Sequence, residues 1–196
     1  MRRVAGVDEA GRGPLAGPVV AAAVILRRGR PIHGVADSKA LNPQEREHLS
    51  LVIRRDALCF GIGWADQLEI DALNILQATF LAMRRALLAI PGVELGVVAP
   101  DGNRLPCLDG LGKALTARAI IGGDAAVPSI GAASILAKTA RDSYMNHMDT
   151  IYPAYSFATH KGYATAAHRR LLTLHGPCPL HRRSFEPVRL AERRAL

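Results

Sequence analysis

Two carboxylates stand side by side at Asp8 and Glu9, directly after a short apolar run, Val4 to Val7, that reads as a buried strand. Three glycines and two prolines follow at once (Gly11, Gly13, Pro14, Gly17, Pro18), so the backbone must turn tightly. Adjacent acids offer hard oxygen ligands to a divalent cation, and neighbouring glycines let backbone N–H groups come close to a phosphate. Arg12, between Gly11 and Gly13, adds a forked cation. Side chains alternate along a strand, so Asp8 and Glu9 would face opposite ways if the strand simply continued. Only a bend would aim both at one ion.

Two more acids close strand candidates further on. Asp101 follows the apolar segment 95–99, and Asp124 follows 117–121 and Gly122-Gly123. Asp109 lies eight residues beyond Asp101, in the loop-like stretch 104–116. A lone acid at a strand end is usually just solvated, but strand C-termini are also where open α/β sheets place their sites.

The elements that must position these residues are strands at 3–8 and 17–27, a third at 59–65, and the two short ones above. Asn42-Pro43-Gln44-Glu45 and Asp66-Gln67-Leu68-Glu69 are capping boxes that open helices. The second is expected to run unbroken to Pro91-Gly92, with Ile70, Leu73, Leu76, Phe80, Met83 and Leu87 on its buried face. A long helix is expected from Pro128 to about Met148, a helix capped by Thr165 up to His175, and a short terminal one capped by Ser184. The order of strands and helices argues a mixed α/β sheet covered by helices.

The 196 residues carry a net charge of +8, with 49% apolar residues and only 5% aromatic ones. That charge suggests a polyanionic partner. No apolar run has the length of a membrane span, and the chain is expected to enter its fold without a signal peptide. Cys59, Cys107 and Cys178 have no metal spacing and read as reduced thiols of a cytoplasmic protein. His160, His168, His175 and His181 lack ligand spacing and are assigned no metal. Residues 160–196 hold eight Lys or Arg against two Glu, which places +6 of the total in the final fifth. Arg182 and Arg183 in that run are read as duplex-binding surface.

The stretch Asp8-Glu9-Ala10-Gly11-Arg12-Gly13-Pro14-Leu15-Ala16-Gly17-Pro18 closely resembles the signature of ribonuclease HII, the type 2 ribonucleases H. Asp37-Ser38-Lys39, the segment 132–138 with Ser134 and Lys138, Lys161-Gly162-Tyr163 and His181-Arg182-Arg183-Ser184-Phe185 also match motifs of that family. The resemblance implies a ribonuclease H-like mixed five-stranded sheet flanked by helices, with residues 1–196 forming one domain. Residues 160–196 would be its small, helical, basic substrate-binding part. It implies an endonuclease that cuts the RNA strand of RNA–DNA hybrids and cuts 5′ of single ribonucleotides in duplex DNA. Asp8, Glu9, Asp101 and Asp124 would be the catalytic acids and would hold two Mg²⁺ or Mn²⁺ ions. Gly122, two residues before Asp124, stands where the family commonly has lysine, and Asp109 is the alternative fourth acid. Gly11, Arg12 and Gly13 would contact the ribonucleotide, Tyr163 the RNA–DNA junction, and Lys39, Ser134 and Lys138 the phosphates. The expected partners are RNA–DNA hybrid and ribonucleotide-containing DNA, with no membrane, for a monomer. Against this stand a hybrid-binding protein that lost catalysis, or another nuclease of the same fold.

Overall fold

The computed structural model describes residues 3–35, 41–91, 96–111 and 116–194. Five strands, β1 (Val4–Ala10), β2 (Val19–Ile25), β3 (Cys59–Ala65), β4 (Val97–Pro100) and β5 (Thr116–Ala117), form one sheet in the order β3-β2-β1-β4-β5. β1 pairs antiparallel with β2 and parallel with β4, and β5 runs parallel to β4. The sheet is therefore mixed, as expected. β5 is much shorter than the segment 117–121, and Ile120 meets Asp101 only in an isolated bridge.

All seven residues of β2 are buried because helices cover both sheet faces. One face carries α2 (Gln67–Leu73) and α3 (Ile75–Leu88), the other α5 (Pro128–Ile151) and α1 (Pro43–Asp56). Both capping boxes form. The expected unbroken helix over the second one is in fact two. Asn74 takes a left-handed φ of 71°, which asparagine tolerates, and its Oδ1 accepts from the N–H groups of Leu76 and Gln77 to cap α3 afresh.

Helix α5 lies on β1 through small residues. A Cβ on Gly6 would come within 2.2 Å of the Ser129 backbone, so only glycine lets helix and strand approach this closely. Ile130, Ile135 and Leu136 are fully buried there. Burial of each such side chain is worth about 1.5–3 kcal/mol. The short helix α4 (Gly123–Ala126) precedes α5; α6 (Phe157–His160), α7 (Ala166–His175) and α8 (Glu186–Arg194) follow. Thr165 caps α7 through His168 N–H. Ser184 is turned elsewhere: its N–H and O–H both donate to Asp71 of α2, whose carboxylate also accepts from Arg183 N–H.

Candidate active site

The parallel register that sets Val7 beside Pro100 puts Asp8 beside Asp101, and the Asp101 N–H donates to the Val7 carbonyl at 2.8 Å. Two acids 93 positions apart in sequence thus become neighbours at one end of the sheet. β1 continues as strand to Ala10 instead of bending after Asp8. Asp8 accordingly lies on the α5 side, where Ser134 hydrogen-bonds it, and Glu9 on the α3 side. Asp101 sits close enough to act electrostatically on both.

Glu9 and Asp101 line a cleft of about 300 Å³ with Arg12, Thr79, Asn103 and Arg104. A larger cavity of about 940 Å³, rimmed by Arg3, Arg27, Arg28 and Arg30, lies at the other end of the sheet, away from the acids. Of the four candidate acids, Glu9 and Asp101 line the smaller cleft.

Asp8, Glu9 and Asp101 each accept a hydrogen bond. The Glu9 N–H donates to Asp8 Oδ1 at 2.8 Å, the Arg12 Nη1–H to Glu9 Oε1 at 3.2 Å, and the Gly123 N–H to Asp101 Oδ1 at 2.7 Å. This last bond also brings in Asp124, the next residue, which is 3% exposed in the first turn of α4. Asp109 takes another course: it is exposed, its carboxylate accepts from the Cys107 thiol, and its carbonyl accepts from Arg84.

Burial, and then the charge of Glu9, pushes the Asp8 carboxyl up to about 8, against the lowering effect of the Ser134 and Glu9 hydrogen bonds. Burial also raises Glu9, which Arg12 partly offsets. Carboxyls raised together in this way mark a place short of positive charge. Among the described residues, no three His, Cys, Asp or Glu side chains already close on one point as a metal cage. The donor set is nevertheless all carboxylate oxygen, the chemistry that hard divalent cations take. In charge and ligand type, Asp8, Glu9, Asp101 and Asp124 fit such ions.

The loop after β1 is gripped from beneath by two arginines. Arg182, fully buried, donates from Nε to the Gly17 carbonyl (2.9 Å), from Nη1 to Arg12 (2.9 Å), and from Nη2 to Gly11 (2.6 Å) and Pro18 (3.2 Å). Arg141 of α5 donates to the carbonyls of Pro18, Lys161 and Ala16 at 2.9–3.0 Å. Gly11 has φ +96°, and a Cβ there would meet the Arg141 side chain at 2.1 Å, so the position requires glycine twice over. Arg182 is therefore not duplex-binding surface. It is interior, and its guanidinium is spent on the loop that carries Arg12. Burial, and then the nearby Arg141, pushes it down to about 9. Arg183 does face outward, paired with Glu192 at 2.8 Å.

Gly13 and Arg12 are exposed. Tyr163 is 40% exposed, with Lys138 Nζ 5.8 Å and Arg141 Cζ 5.7 Å from its ring centre. Lys138 also pairs with Asp142 at 2.6 Å, one helical turn on. Lys39, with Asp37 and Ser38, lies outside the described residues. Sequence reasoning missed Arg141, Asp71 and the meeting of three histidines. Arginine in the middle of an apolar helix face was the available signal for the first.

A mixed sheet of this order, with carboxylates at adjoining strand ends and a helix behind them, defines a protein of the ribonuclease H-like class. The crystal structure of the ribonuclease H2 from Pyrococcus horikoshii OT3 shares the fold with a TM-score of 0.82, at 27% identity over 98% of both chains. Bst-RNase HIII, solved in complex with Mn²⁺, shares it with a TM-score of 0.74 at 20% identity, covering 97% of this chain and 69% of that one. Sequence comparison is more specific. The family model for Ribonuclease HII matches residues 5–188. Ribonuclease HII of Polaromonas sp. (strain JS666 / ATCC BAA-500) is 58% identical over 185 residues, 94% of this chain and 90% of the relative. The chain belongs to the ribonuclease HII family and is a ribonuclease H endonuclease. Among the described residues, no helix is long and apolar enough to cross a membrane.

Proposed function

We propose that the protein hydrolyses the RNA strand of RNA–DNA hybrids and cuts on the 5′ side of a single ribonucleotide embedded in duplex DNA, leaving 5′-phosphate and 3′-hydroxyl ends. The observation that carries this reading is the joining of Asp8 and Asp101 by strand register. The Gly11-Arg12-Gly13 loop, held rigid by Arg182, lies immediately beside them.

Asp8, Glu9, Asp101 and Asp124 would hold two Mg²⁺ or Mn²⁺ ions. When bound, such ions would neutralise the scissile phosphate and would supply Lewis-acid chemistry to the attacking water and the leaving oxygen. The protein's own part is positioning. The Ser134 hydroxyl orients Asp8, and the Gly123 N–H orients Asp101. Gly11, Arg12 and Gly13 present backbone groups and one cation where a 2′-hydroxyl would lie, and that hydroxyl is what separates RNA from DNA at one nucleotide. Tyr163 offers a face on which the next sugar packs if it lacks a hydroxyl. Lys138, Lys39 and the outward-facing Arg183 take phosphates, which fix register without reading sequence. The whole chain works as one catalytic domain, with residues 160–196 as its basic duplex-binding part, in a cytoplasmic monomer.

The test is to incubate the protein with Mg²⁺ or Mn²⁺ and a DNA duplex carrying one ribonucleotide, then map the cut. A single metal-dependent nick on the 5′ side of the ribonucleotide, with a 5′-phosphate, is expected. Cleavage of an all-DNA duplex at a similar rate, or none of either duplex, would contradict the proposal.

A further inference from the structure

Three histidines that take no part in the site above meet in the interior. His160 and His168 stack with ring centres 4.3 Å apart, and the Nε2 atoms of His168 and His181 are 3.1 Å apart. Their exposures are 7%, 0% and 1%. The partners assign the proton on each ring. The Cys178 N–H donates to Nδ1 of His181 at 3.0 Å, so the His181 proton is on Nε2. That N–H points at Nε2 of His168, which must accept. The His168 proton is then on Nδ1, where it donates to the Tyr163 carbonyl at 2.9 Å. His160 is fixed separately: the Gly162 N–H donates to its Nδ1 at 3.2 Å, and its Nε2–H donates to the Tyr155 carbonyl at 2.8 Å.

The chain runs one way and only with neutral rings. A second proton on His168 or His181 would set two N–H groups against each other or against the Cys178 N–H. Burial favours the same state, pushing His168 and His181 down to about 4 and lowering His160. The groups facing the rings are Tyr155, Phe157 and Cys178, with Asp149 favouring charge on His160 and Lys161 opposing it.

All three rings converge on the Gly162-Tyr163 backbone, directly or through a neighbour. Lys161 just before it has a left-handed φ of 52°, so no regular element holds this segment. Locally the Tyr163 N–H donates to the His160 carbonyl and the Thr165 N–H to the Tyr163 carbonyl, while Arg141 on the Lys161 carbonyl and the Leu15 N–H on the Gly162 carbonyl link the segment to the loop beside the acids.

We propose that His181, His168 and His160 are positioning residues for Tyr163. They form a neutral hydrogen-bonded chain that fixes the backbone carrying the tyrosine, and so sets how well the enzyme tells a lone ribonucleotide from a continuous RNA strand. The inference rests on the reading of Tyr163 given above.

The first test uses the wild-type protein. Imidazole ¹⁵N spectra near pH 7.5 should show Nε2–H at His160 and His181 and Nδ1–H at His168; a charged ring, or another tautomer at His168, overturns the chain. The second compares single-turnover rates on a duplex with one ribonucleotide and on a continuous hybrid. His168→Ala should lower the first relative to the second by about tenfold or more, since small misplacements of reacting groups cost large factors. Tyr163→Ala should shift the ratio the same way, and the double variant no further than Tyr163→Ala alone. His168→Asn, which keeps an N–H near the Nδ1 position, should restore most of the ratio. Equal losses on both substrates, or losses that add in the double variant, overturn the proposal. If Tyr163→Ala leaves the ratio unchanged, the reading of Tyr163 fails and takes the proposal with it. If Tyr163→Ala moves the ratio and a folded His168→Ala does not, the positioning proposal alone falls. Should His168→Ala not fold, the wild-type ratio decides: it should drop below about pH 5, and a flat ratio overturns the proposal.

Discussion

The acids at the end of β1 and the arginines beneath the following loop are both buried charge, and the protein handles them in opposite ways. Arg182 is surrounded by four backbone carbonyls, and Arg141 by three. Carbonyl dipoles answer each cation, and in return the cation fixes the loop. Asp8 has a serine hydroxyl and one N–H, and it sits beside Glu9 and Asp101, which oppose its ionisation. A balanced buried charge organises structure. An unbalanced cluster of like charges does nothing for the fold, and it survives where a site needs it.

That contrast can be broken most sharply at Arg182. Arg182→Met removes the cation from the Gly11, Arg12 and Gly17 carbonyls, while the Pro18 carbonyl keeps Arg141. A loss of about 3–5 kcal/mol is expected, by analogy with breaking a buried polar network. Urea denaturation would measure it, and a midpoint within error of wild type would show that the loop holds itself.

The next effect comes from the histidines. His168 and His181 are held at about 4 in the fold, below the ordinary 6.5. The unfolded chain thus takes up protons near pH 6.5 and the folded one only near pH 4. The stability these rings contribute is full above about pH 6.5, falls as the pH drops toward 4 and levels off below. Asp8, pushed up to about 8, acts in the opposite sense over the same range, so the difference between wild type and His168→Gln carries the test. At about 1.4 kcal/mol per pKa unit, the loss reaches at most roughly 3 kcal/mol per ring. Unfolding midpoints across pH 4–7.5 check this, and His168→Gln, which cannot take the proton, should flatten the curve.

The smallest effect is expected at Arg183, whose ion pair with Glu192 is exposed to solvent. Arg183→Ala should leave the unfolding midpoint nearly unchanged. It should weaken binding to every duplex alike and reduce the salt slope by roughly one unit. A large stability loss would show that Arg183, like its neighbour Arg182, belongs to the interior.

Local pattern carried the elements whose cause is local. Two capping boxes, the start of α5 at Pro128 and the Thr165 cap stand where their residues place them, and the sheet is mixed and five-stranded. Asp8, Glu9 and Asp101 at strand ends were legible for the same reason; Asp124, expected at the end of a strand 117–121, lies instead in the first turn of α4. What was not legible came from tertiary contacts. Helical spacing ran straight through Asn74, because periodicity does not register one left-handed residue. Arg182 lies in a basic run and read as surface, since nothing local reveals that four carbonyls wait for it. The histidines are spread over 22 positions, too far for spacing to join them, and only the packing of 155–181 against itself does so.

The sharpest measurement compares thermal unfolding of wild type and Asp8→Asn, with and without Mn²⁺. A ligand that binds only the folded state raises its stability with concentration. Without metal, Asp8→Asn should be at least as stable as wild type, because it removes a like charge from a crowded, buried place. With millimolar Mn²⁺, wild type should gain several degrees and the variant much less, and the variant should lose cleavage while still binding hybrid. A variant that is markedly less stable without metal, or that gains as much from Mn²⁺ as wild type, would contradict the view that these acids are held in readiness for cations.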